Sequence, residues 1–96
     1  VKPLFIPLKA EFFNAFADGS KKEEYRVYGP RWNERTCTIG RPVVLSYGYG
    51  KKRRLRGVVA SFERSREPLK TLAWLKCYGH RTGDCACIGI KVEGKL

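Results

Sequence analysis

Lys21, Glu24 and Arg26 fall within the short run Gly19-Ser20-Lys21-Lys22-Glu23-Glu24-Tyr25-Arg26, and their types are those of a hydrolytic or anion-holding site. Alternate residues of an extended strand share a face, so Lys22, Glu24 and Arg26 point one way and Glu23, Tyr25 and Val27 the other. Lys21, in the turn itself, can swing toward either face. A carboxylate beside two cations favours its charged form, and a partly desolvated lysine can surrender its proton and serve as a base. Lys21, Glu24 and Arg26 are therefore the candidate catalytic residues should the protein be an enzyme. The same three side chains would equally make an ion-pair network that braces a fold and catalyses nothing.

Two further stretches have the chemistry of nucleic-acid contact. The loop 29–38 sets Trp32 between Arg31 and Arg35, residue types on which a base can stack, although a tryptophan in such a loop also serves to close the edge of a core. The run Lys51-Lys52-Arg53-Arg54-Leu55-Arg56 follows Gly48-Tyr49-Gly50, so cations that can hold phosphates flank an aromatic ring. Lysines on an edge strand also discourage sheet-to-sheet aggregation, a role compatible with the first. The candidate nucleic-acid contacts are thus Lys21, Arg26, Arg31, Trp32, Arg35, Tyr49, Lys51, Lys52, Arg53, Arg54 and Arg56. No Ser/His/Asp triad and no phosphate-cradling loop of the nucleotide-hydrolase type is readable.

The 96 residues carry a formal charge of +11, unevenly spread: residues 1–50 are net +3 and residues 51–96 net +8. Such a field gathers polyanions and argues against cationic partners. A hydrophobic fraction of 43% with five Phe, five Tyr and two Trp is enough to form a core, so residues 1–96 are expected to make one domain rather than a disordered chain. No run approaches the roughly eighteen apolar residues of a membrane span, and Val1 to Leu8 does not read as a secretory signal, so a cytoplasmic protein without a membrane partner is expected.

Elements to position these groups can be read in order. Leu4-Phe5-Ile6, bounded by prolines, suits an opening strand. From 8 to 18 the period turns helical, with Phe12, Phe13 and Phe16 on one stripe, Glu11 near the start and Gly19 at the close. Glu23 to Tyr28 is the charged strand. Val43 to Tyr47 and Arg53 to Phe62 form a hairpin about Gly48-Tyr49-Gly50. Glu67 and Pro68 open a second helix near 68–77, and Asp84 to Val92 closes the chain as a strand with Ala86, Ile88, Ile90 and Val92 on its apolar side.

Cys77, His80, Cys85 and Cys87 gather four possible zinc ligands. Zinc takes its ligands from a tetrahedron, commonly as two short-spaced pairs. Here Cys85 and Cys87 fall in a strand, and Cys77 and His80 at a helix end, so reduced cysteines, no metal and no cofactor are the expectation.

Gly-x-Lys-x-x-Glu-x-Arg after an amphipathic helix, on Gly19, Lys21, Glu24 and Arg26, resembles the signature of the ASCH domain, a small barrel related to the PUA domains of RNA-modifying proteins. The segments Tyr28 to Cys37 and Ile39 to Ser46 are similar to phage and prophage members of that family. The resemblance covers about residues 3–64. It implies an α+β fold, a small PUA-like mixed β-barrel of five to six strands with two flanking helices. For function it implies an RNA-binding or nucleotide-sensing module with a cleft lined by lysine, glutamate and arginine. Its partner would be RNA or another nucleic acid, down to a single nucleotide. Family members also include a ribonuclease and an amidohydrolase of N4-acetylcytidine, so a hydrolase acting on RNA or a modified nucleoside is the alternative. In the amidohydrolase subgroup a threonine stands where this chain has Glu24, while Lys21 and Arg26 match.

Overall fold

The fold is taken from a computed structural model, which describes residues 2–65 and 84–96. Its elements are β1 (Leu4–Leu8), α1 (Ala10–Asp18), β2 (Glu23–Val27), β3 (Pro42–Tyr47), β4 (Arg54–Ser65) and β5 (Cys85–Lys95). The five strands form one mixed sheet in the order β1-β3-β4-β5-β2, parallel between β1 and β3 and antiparallel elsewhere. The sheet curls into a half-barrel whose two edges are β1 and β2. The second helix expected near 68–77 lies outside the described residues, as do Cys77 and His80.

The curl follows from where β4 and β5 lose step. Their register shifts between Arg56 and Gly57 and again between Val59 and Ser61, and such bulges bend a strand and sharpen its twist. Both shifts need a missing side chain. A Cβ on Gly57 would lie 2.4 Å from the Lys91 carbonyl oxygen, and one on Gly89 would lie 2.0 Å from the Ser61 hydroxyl.

α1 spans the concave side. Phe13 and Phe16 are buried there against Ile6, Val43, Leu45 and Ile88, and each buried aromatic contributes about 1.5–3 kcal/mol by leaving water. The helix is shorter than the expected 8–18 because Leu8 is the last residue of β1, paired with Tyr47 and 4% exposed in the core. Pro7 does not end the strand, since an edge strand tolerates a residue without an N–H. Gly19 does end the helix: it takes φ 86°, a left-handed conformation favoured by glycine, and its amide donates to the Phe16 carbonyl. The Lys21 amide then reaches back to Ala15 at 3.0 Å, which turns the chain into β2.

Candidate functional site

The open side of the half-barrel is a seam between β1 and β2, and one side chain crosses it. Arg26 on β2 donates from Nη2 to the Pro7 carbonyl on β1 at 2.6 Å and from Nε to Glu24 Oε2 at 2.9 Å. Its guanidinium lies 5.1 Å from the centre of the Trp32 ring. A planar fork of fixed donors can make all three contacts at once, and a lysine cannot.

Glu24 and Arg26 share a face of β2, as strand alternation requires, and Lys21 arrives from the turn to complete the set. Lys21 Nζ stands 3.8 Å from Glu24 Oε1, and the side chains of Lys21, Glu24 and Arg26 are only 12%, 9% and 18% exposed. Three rings, those of Phe12, Phe16 and Tyr25, surround the ammonium at 5.0 to 5.6 Å. Desolvation, with the charge of Glu23 added, pushes the Tyr25 phenol above its ordinary pKa, so it stands beside Lys21 as a neutral ring. The three charged groups are thus brought together and largely spent on one another. One edge of the set nevertheless reaches solvent.

That edge is a groove along the seam. One section of about 210 Å³ is lined by Pro7, Lys9, Phe12, Glu24, Tyr25 and Arg26. It runs on into a section of about 290 Å³ that shares Pro7, Leu8, Lys9 and Arg26 and adds Gly48 and Tyr49. The tip of the β3–β4 hairpin therefore reaches the seam, held there by a bond from the Gly48 amide to the Leu8 carbonyl at 2.9 Å. Tyr49 is 82% exposed at its end. A larger cavity of about 560 Å³ lies between the end of α1 and β5, beside Lys21, Lys22 and Lys91. It contains neither Glu24 nor Arg26, and the seam is the place where the sequence's ionic set and an exposed ring meet.

The remaining candidates lie apart. Trp32 is 8% exposed and belongs to the core, so its ring closes the core edge and is not open to a base; the exposed Arg31 guanidinium lies 5.3 Å from its centre. Arg35 is exposed on the same loop. On the hairpin, Lys51 and Lys52 are exposed, whereas the arginines are engaged. Arg53 lies over Phe13 and Tyr47, Arg54 over Phe5, and Arg56 is 3.6 Å from Glu93.

Sequence reasoning missed two groups of residues. Lys9 and Phe12 line the groove because α1 begins directly beside the β1 edge; a cation one residue before a helix that follows an edge strand is the signal that was there to read. Asn33 organises the loop 29–38. Its Nδ2 donates to the carbonyls of Gly29 and Pro30, and its Oδ1 accepts from the amides of Arg35 and Thr36. Asn-x-x-Thr in a Gly-Pro loop is the mark of such a turn.

Away from the seam, Tyr28 donates its hydroxyl to Glu34, which raises the phenol's pKa and lowers the carboxyl's, and Arg64 stacks on the Tyr28 ring while pairing with Asp84. Cys85 and Cys87 share a face with sulfurs 3.7 Å apart, and desolvation pushes both thiols up, so they are held protonated. Among the described residues no group of three His, Cys, Asp or Glu is placed to hold a metal, and no helix is long and apolar enough to cross a membrane.

The chain matches no family model and no curated protein. Its own geometry is therefore the ground for a functional reading.

Proposed function

We propose that the protein is a nucleic-acid-binding module of the ASCH, PUA-like kind that takes a single-stranded RNA segment or a nucleotide along the β1–β2 seam. One observation carries the reading: the seam groove lies between an exposed ring, Tyr49, and the cations Lys9 and Arg26, on a chain of charge +11. A base can stack on Tyr49, and the phosphates beside it meet cations. Glu24, at the inner end, offers a carboxylate to the N–H edge of a base. Trp32 is not part of this site, and the hairpin lysines Lys51 and Lys52 extend its positive field.

Hydrolysis of RNA or of a modified nucleoside is the second reading, favoured by a carboxylate that lines the groove with Lys21 Nζ 3.8 Å away. Binding is preferred because Glu24 Oε2 is already occupied by Arg26.

Fluorescence anisotropy with a labelled single-stranded RNA tests the proposal. Tyr49→Ala should weaken binding by about 5- to 100-fold, the worth of one stacked base, while the circular dichroism spectrum stays unchanged. Lys9→Ala should weaken it several-fold. Affinities equal to the parent in both folded variants would remove the seam as the binding site.

A further inference from the structure

A second concavity lies where α1 meets the base of the hairpin. Its floor is the buried pair Phe13 and Leu55, Ala17 stands at one side, and its rim carries Lys52, Arg53, Arg54 and Lys95. Its volume is about 220 Å³, below the roughly 300–1,000 Å³ of pockets that enclose a whole small molecule. The four cations come from the hairpin and from the end of β5, far apart in sequence and adjacent only because β4 pairs with β5 from Leu55 to Lys95. No described carboxylate lies within ion-pair range of any of them; the acidic partners on this sheet go to Arg56 and Arg64. Like charges gathered without counter-charge repel one another.

The two arginines are also set in place. Arg53 rests over the rings of Phe13 and Tyr47 at 5.2 and 4.8 Å and donates from Nη2 to Asn14 Oδ1 at 3.1 Å. Arg54 lies over Phe5 and donates from Nε to the Gly50 carbonyl at 3.2 Å. Guanidinium groups immobilised in this way bind an anion with little further loss of side-chain freedom.

We infer that this concavity is a subsite for a terminal phosphate monoester, with Lys52, Arg53, Arg54 and Lys95 as its ligands and Asn14 as a positioning residue for Arg53. A monoester carries about −1.5 to −2 at neutral pH against −1 for a backbone diester, so it matches four convergent cations better. The apolar floor makes the site a blind recess suited to a chain end. The inference names a phosphate subsite for the ligand class proposed above and rests on that reading for the RNA attached to it.

The test uses one RNA oligomer in 5′-phosphorylated, 3′-phosphorylated and unphosphorylated forms, together with inorganic pyrophosphate followed by amide resonances. One phosphorylated form should bind about tenfold more tightly than the unphosphorylated one. Pyrophosphate should move the amides of Lys52 to Leu55 and Lys95. Both effects should shrink in Lys52→Ala/Lys95→Ala, whose exposed positions leave folding intact. Equal affinity of all three oligomers overturns the inference and leaves the RNA reading standing, and so do unmoved amides. Where no oligomer binds, pyrophosphate decides. Movement that depends on Lys52 and Lys95 upholds the anion site while the RNA reading falls, and no movement ends both.

Discussion

At the scale of single residues, the question set by Lys21, Glu24 and Arg26 is whether they are displayed or buried, and the geometry answers with a brace that has one wet edge. Glu24 is the only acid between two cations whose side chains are 12% and 18% exposed. Glu24→Gln keeps the shape and removes the charge, which strands two like charges in a poorly solvated place. Breaking a buried pair from one side costs about 3–5 kcal/mol. Chemical denaturation of Glu24→Gln should accordingly show a loss of about 3 kcal/mol; an unchanged midpoint would mean that water screens the set and that it is a displayed site after all. The types and strand phase of these residues were legible in the sequence, because alternation along β2 puts Glu24 and Arg26 on one face. The bond from Arg26 to the Pro7 carbonyl was not legible. It depends on the sheet order, which brings residues 19 positions apart across the seam.

At the scale of elements, α1 and the five strands follow local patterns, and what local patterns leave out is how neighbouring strands fall into register. The β3–β4 hairpin, the helical stripe of Phe12, Phe13 and Phe16, and the closing apolar strand each announce themselves by period. Two boundaries differ for a tertiary reason: Leu8 belongs to β1 because it pairs with Tyr47, and β5 runs on to Lys95 because β4 is there to pair with it. The bulges are invisible to periodicity, yet they set the curl that turns the sheet into a half-barrel. Their glycines should differ in tolerance. Gly57→Ala drives a Cβ into the Lys91 backbone oxygen, which cannot move without breaking the ladder, and should cost about 1–3 kcal/mol or more. Gly89→Ala meets the Ser61 side chain instead, whose hydroxyl can turn away. Thermal unfolding should therefore rank Gly57→Ala as the more damaging. Adding Ser61→Gly should restore much of the loss of Gly89→Ala and none of that of Gly57→Ala. Equal damage at the two sites, or no rescue, would show that the bulges do not depend on these close approaches.

At the scale of the whole molecule, one positive field has two consequences of opposite sign. A net charge of +11 on 96 residues repels itself in the compact state, and it draws in polyanions. Added salt screens both. Between about 50 and 200 mM monovalent salt the melting temperature should rise, while affinity for single-stranded RNA should fall along a line of log affinity against log salt whose slope is about −0.7 per phosphate contacted. Lys51 and Lys52 separate these effects cleanly, because both are exposed, whereas Arg53 and Arg54 pack on Phe13, Tyr47 and Phe5 and their loss would also disturb the fold. Lys51→Ala/Lys52→Ala should raise the melting temperature at low salt, bring it closer to the high-salt value, and flatten the RNA slope by about one unit. A slope unchanged by the two substitutions would place the hairpin lysines outside the bound strand's path. A melting temperature that falls with salt in the parent would mean that the ion pairs of Glu24, Arg56 and Arg64, rather than the charge excess, govern how the fold responds to screening.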